Sequence, residues 1–177
     1  MKQLLAASTV AVLVSSPALA DCAGSHALDR CLVGTWSYAS GGSAEWLNRN
    51  VRMAHVTSVT HSGLSITFRP DGTFSTGHVD INAHVAANNG AMTGSSHSTG
   101  QASGTWSAAG GRFTLCMTPG ALHTTVTVVV HGRPITVTPA MPPHPVPTAY
   151  TCSAASLTTT QPIPGHEPIV TAYSRAH

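Results

Sequence analysis

The chain is 177 residues long, with only 8% of them charged, eight basic against six acidic side chains, and eleven histidines. That length fits one domain behind a leader. The arginines are scattered instead of clustered, which excludes a basic face for nucleic acid, and no apolar stretch after the leader is long enough to span a membrane.

Met1-Lys2 supplies a positive start, Leu4 to Val14 an apolar run, and Ala18-Leu19-Ala20 a small-x-small cleavage site. The run is about half of the roughly 20 apolar residues that a bilayer crossing needs. Residues 1–20 therefore read as a removed signal peptide, and residues 21–177 as a single exported domain, secreted or periplasmic. Asp21 stands before Cys22 where a lipobox requires a small residue, so lipidation is not expected. Removing the leader removes Lys2, the only lysine.

Cys22, Cys31, Cys116 and Cys152 make an even count without a C-x-x-C spacing. In an oxidising compartment this implies two disulfides. Of the three connectivities, the reading favours Cys22–Cys31 with Cys116–Cys152, and its rival joins Cys31 to Cys152.

Period-two alternation dominates from Val33 onward. Strands are expected over Val33–Ala39, Ala54–Thr60, Leu64–Arg69, Thr73–Ala86, Gly104–Ala108 and Arg112–Met117. Further strands are expected over His123–Val130, Ile135–Thr138, Thr148–Cys152, Ser156–Thr160 and Ile169–Ser174. One short helix is expected over Ser43–Met53, where Ala44, Leu47 and Val51 share a face and Ser43 is placed to cap it. Hairpin turns are signalled by Arg69-Pro70-Asp71-Gly72-Thr73, by Ala109-Gly110-Gly111 and by His131-Gly132-Arg133-Pro134. Asn88–Ser103 is poor in core material and reads as an exposed loop or ribbon. Pro139–Pro147 reads as a stiff, extended connection. Short strands joined by hairpins specify an all-β, antiparallel meander, either a sandwich or an up-and-down barrel, with at most one short helix.

Three motifs carry a resemblance. Leu32-Val33-Gly34-Thr35-Trp36 opens the first strand after Cys31, Ile66-Thr67-Phe68-Arg69-Pro70-Asp71-Gly72-Thr73-Phe74 forms an Asp-Gly hairpin, and Gly104-Thr105-Trp106 precedes Gly110-Gly111-Arg112-Phe113. Together they resemble the bacterial lipocalin-like (calycin) barrels. The resemblance implies that a basic residue of the last strand packs across the first-strand tryptophan, with Arg175 in that place and Gly34 and Trp36 as the Gly-x-Trp of the entry strand. A guanidinium over an indole face would close the barrel by a cation–π contact. Eleven expected strands exceed the eight of a simple barrel, so some belong to loops or extensions.

No G-x-S-x-G elbow, H-E-x-x-H or P-loop is present, and the chain is not expected to be an enzyme or to need a cofactor. His78 and Asp80 fall on one face of their strand and are the residues placed to share a metal ion, although most histidines mark strand ends and outward faces. Val126, Val128 and Val130 fall on one face of theirs and are the candidates to line a barrel cavity. With only nine aromatics, an interior lined by Val, Ala and Thr leaves space that larger side chains would fill. The expected function is to hold a small apolar molecule. The alternatives are an extracytoplasmic interaction module with a protein partner, such as a hydrolase inhibitor or envelope component acting through loops, or a histidine-based metal binder.

Overall fold

The computed structural model describes residues 27–51, 54–87, 90, 92–118, 122–130, 133–138 and 147–176, with backbone alone at Ala54, Leu122 and Val130. The expected signal peptide, Cys22, the His131-Gly132 turn and most of the proline-dense connection lie outside the described residues. In chain order the elements are β1 (Gly34–Gly41), α1 (Ser43–Asn50), β2 (Ala54–Ser62), β3 (Ser65–Phe68), β4 (Thr73–Thr76), β5 (Val79–Ala87) and β6 (Met92–Gly100). Then follow β7 (Ser103–Ala109), β8 (Arg112–Met117), β9 (Leu122–Val130), β10 (Arg133–Val137), β11 (Thr148–Cys152), β12 (Ser156–Gln161) and β13 (Ile169–Arg175).

Eight strands close into an antiparallel barrel, β1-β3-β4-β7-β8-β11-β12-β13, each pairing with the next and β13 with β1. Read this way the barrel strands follow chain order, which is the up-and-down arrangement. The other strands are insertions. β2 lies between the first and second barrel strands, β5–β6 between the third and fourth, and β9–β10 between the fifth and sixth. In an up-and-down barrel those three connections emerge at one end, and here they assemble into a single five-stranded antiparallel sheet, β10-β9-β6-β5-β2.

Two expectations are corrected by this sheet. Thr73–Ala86 is not one strand, because it breaks at Gly77-His78. Gly77 N–H donates to the Ser65 carbonyl at 3.0 Å, and a Cβ on Gly63 or on Gly77 would strike the opposing backbone. The two segments cross at this glycine contact, leaving β4 in the barrel while β5 departs from it. Of the two readings of Asn88–Ser103, the loop gives way, since its described part contains β6, which pairs along its length with β5 and with β9. Its Gly and Ser side chains give little packing signal, but ladders on both sides hold its backbone.

The helix forms where expected but ends at Asn50. Its cap is Gly42, at φ 87°, in place of Ser43, and the Glu45 carboxylate accepts the Gly41 N–H at 2.8 Å.

The core sits inside the barrel and is aromatic. Trp36, Phe68, Phe74, Trp106 and Phe113 are buried with Leu32, Leu157, Ala102 and Ala108. Phe68 meets Trp106 and Phe113 edge-on, at 5.0 and 5.6 Å between ring centroids. Each buried indole N–H has an acceptor, the Leu32 carbonyl for Trp36 and the Arg69 carbonyl for Trp106, as burial of that polar edge requires. The expected interior of small residues is therefore corrected. Of the nine aromatics, eight stand on barrel strands, Trp46 stands on α1, and none stands on the five-stranded sheet.

Candidate functional site

At its closed end the barrel is sealed by Arg175. The ladder of β1 and β13 sets Trp36 opposite Arg175, and the guanidinium carbon lies 4.2 Å from the indole centroid. The same guanidinium donates to the carbonyls of Cys31, Val33 and Ala154 at 2.7–2.9 Å. Gly34, at φ 137°, leaves the space that it fills, since a Cβ there would collide with Arg175. Beside this seal, Asp29 accepts the Tyr150 hydroxyl at 2.7 Å and the Cys31 N–H at 2.8 Å. These bonds hold its carboxyl below the ordinary value. Burial, followed by the bond to Asp29, pushes the Tyr150 phenol up to about 12.

Cys31 is joined to Cys152, with 6.1 Å between their Cα atoms. The favoured pairing of Cys116 with Cys152 gives way to the rival for a topological reason. β8 and β11 pair only at Arg112 and Phe113, so Cys116 lies toward the far end of β8 from Cys152. Cys116 is itself disulfide-bonded, and Cys22 lies outside the described residues.

Above the aromatic core, toward the five-stranded sheet, the barrel holds a partly open cavity of about 170 Å³. Its walls follow strand alternation: Ile66 and Phe68 of β3, Phe113 and Leu115 of β8, Leu157, Thr159 and Gln161 of β12, and Ile169, Thr171 and Tyr173 of β13. The floor is apolar, and polarity enters through Gln161, Thr171, Tyr173 and Thr159, whose hydroxyl donates to the Thr171 carbonyl at 3.4 Å. Burial raises the Tyr173 phenol above its ordinary value.

The valine candidates stand elsewhere. β9 belongs to the five-stranded sheet, so Val126 and Val128 do not face the barrel interior, and the side chain of Val130 lies outside the described residues. Alternation identifies a strand face without saying which sheet that face belongs to. Sequence reasoning missed the actual lining residues on β12 and β13, although Leu157-Thr158-Thr159-Thr160-Gln161 alternates in the required way.

His78 is exposed at the β4–β5 junction. Asp80 turns instead to His97 on β6, with 3.3 Å between Nε2 and Oδ1, and accepts the Asn82 amide at 3.0 Å. Register places His55, His84, His97 and His123 on the same polar face of the sheet. Among the described residues, no three His, Cys, Asp or Glu side chains are arranged to hold one metal ion, and no helix is long and apolar enough to cross a membrane.

A closed, eight-stranded meander with an arginine laid over its first-strand tryptophan defines a β-barrel consistent with the lipocalin-like architecture. Comparison with protein-family models, with curated proteins and with solved structures gives no match, so the likeness rests on architecture and motifs.

Proposed function

We propose that the protein is an exported binding protein that holds a small, largely apolar molecule in the open end of its barrel. The observation that carries this reading is the cavity above the aromatic floor, with apolar walls and hydroxyl and amide groups at its mouth. Its volume sets the size of the ligand. A cavity of about 150 Å³ accepts benzene, whereas drug-sized pockets run from about 300 Å³ upward. The ligand class is a single ring or a short branched chain with one polar end for Gln161, Thr171 or Tyr173. Export is supported by the leader-like residues 1–20 and by the Cys31–Cys152 bridge, which suits an oxidising compartment.

Titration calorimetry with phenol, a single ring with one polar end, tests the reading. Saturable binding at one site per chain is expected, with Thr159→Phe abolishing it while the fold survives. Val128→Phe, on the other sheet, should leave it intact. If wild type shows no saturable binding, or Thr159→Phe binds as well as wild type, the cavity is not the site.

The second reading is an interaction module, and it is favoured by the assembly of three connections into one sheet at the barrel mouth. Rigid scaffolds commonly present binding surfaces in this way.

A further inference from the structure

The five-stranded sheet has two chemically different faces. One carries Thr60, Asn82, His97 and Thr125 across β2, β5, β6 and β9. The other carries two apolar rows that run across all five strands: Val56, Val85, Gly94, Val128 and Ile135, then Val59, Ala83, Ser96, Val126 and Val137. Such alternation is the pattern of a sheet with one face packed and one in water. Yet, among the side chains described on these strands, only Val79, at the barrel junction, is buried. Ile135, Val137 and Val59 are 55%, 51% and 37% exposed. Among the described residues this apolar face is left half-exposed, most openly on β10.

We propose that this face pairs with the same face of a second copy of the chain. Its relief is self-complementary. On central β6 it carries Gly94, Ser96 and Ser98 between Met92 at one end and Gly100 at the other, so the middle of the strand leaves a shallow groove. On β9 and edge strand β10, Val126, Val128, Ile135 and Val137 raise a ridge beside it. A two-fold axis lays the ridge of each copy in the groove of the other, which is the reciprocal contact of an isologous dimer. The area is sufficient. At about 4.8 Å between strands and 3.4 Å per residue, the face covers about 650 Å². Two copies then bury about 1,300 Å², within the roughly 1,200–2,000 Å² of stable interfaces.

Charge permits the pairing, because Arg133 is the sole Lys, Arg, Asp or Glu whose register puts it on this face. A lipid surface is the poorer match, since the five strands contain no aromatic and no lysine to anchor at an interface. Gly94 adds an independent sign. A Cβ there would meet its nearest atom, the Thr127 carbonyl oxygen, at 3.6 Å, an ordinary contact. The fold of one copy therefore does not require glycine at this point, whereas a ridge seated in the groove does.

Sedimentation velocity on the folded wild-type protein, from low to high micromolar concentration, should show a monomer–dimer equilibrium. Gly94→Val fills the groove, and Ile135→Thr with Val137→Thr flattens the ridge at exposed positions. Each variant should weaken association by about tenfold or more while keeping the wild-type circular dichroism spectrum. The ridge variant carries the test alone if Gly94→Val fails to fold. A wild type that stays monomeric throughout, as it would if another segment of the chain covered the face, overturns the proposal. So does a dimer that survives both changes, as edge-to-edge pairing of β2 or β10 would.

Discussion

Arg175 joins the last strand to the first through one side chain. Its stem leaves the last strand, its plane covers Trp36, and its donors are spent on the carbonyls of Cys31, Val33 and Ala154. Arg175→Ala exposes an indole face and removes those hydrogen bonds, a loss of about 2–4 kcal/mol by ordinary values for cation–π contacts and charged hydrogen bonds. Arg175→Lys keeps the charge without the planar fork, so denaturant midpoints should fall in the order wild type, Lys, Ala. Equal midpoints for Lys and wild type would show that planarity contributes nothing. Nearby, Asp29 and Tyr150 make stability depend on pH in opposite senses. The Asp29 carboxyl titrates lower folded than unfolded, so its contribution is present above about pH 4 and is lost as pH falls through the folded value. The Tyr150 phenol titrates higher folded, at about 12, so its contribution is present below about pH 10 and is lost as pH rises toward 12. Tyr150→Phe should flatten both limbs of a melting-temperature profile, and Asp29→Asn the acid limb above all. A Tyr150→Phe profile parallel to wild type at both ends would remove this pair as the cause.

At the scale of elements, the Cys31–Cys152 bridge ties the approach to β1 to the end of β11 across 121 residues of chain. By the loop-entropy estimate, closing a loop of that length stabilises by about 4–5 kcal/mol. Cys31→Ser with Cys152→Ser should therefore lower the denaturant midpoint more than any single surface change, and peptide mapping of the unreduced wild type should recover the two cysteines linked. A Cys116–Cys152 peptide instead would contradict the topology. The pairing was not legible beforehand because it depends on where β8 and β11 overlap, and no local pattern specifies that. Turn chemistry was legible where a short motif sets it: Asp71 accepts both the N–H and the hydroxyl of Thr73, and the Arg69–Thr73 hairpin follows. β6 was hidden for the opposite reason, since Met92–Gly100 owes its strand to partners distant in the chain. The cavity residues were within reach of the pattern on β12 and β13. The valine run of β9 is more apolar than either but belongs to the other sheet.

For the whole molecule, residue types sort the chain into two units that periodicity alone does not separate. Aromatics mark the barrel strands, while His55, His61, His84, His97 and His123 stand on the five-stranded sheet. The division has an energetic consequence. Barrel strands bury Trp and Phe completely, and full burial contributes about 1.5–3 kcal/mol for each Phe or large aliphatic side chain. The sheet holds its ladders with half-exposed Val, Thr and Ser, so in the monomer it has little to set against local opening. Native-state hydrogen exchange should resolve this. Amides of β1, β7 and β13 should exchange only through global unfolding, while those of β5, β6 and β9 exchange through a smaller opening. If the apolar face is covered by a second copy, protection of β6 and β9 should rise with protein concentration and that of β1 and β13 should not. Equal protection in both units at every concentration would mean that barrel and sheet open as one, and the half-exposed sheet would then need a source of stability beyond its own packing.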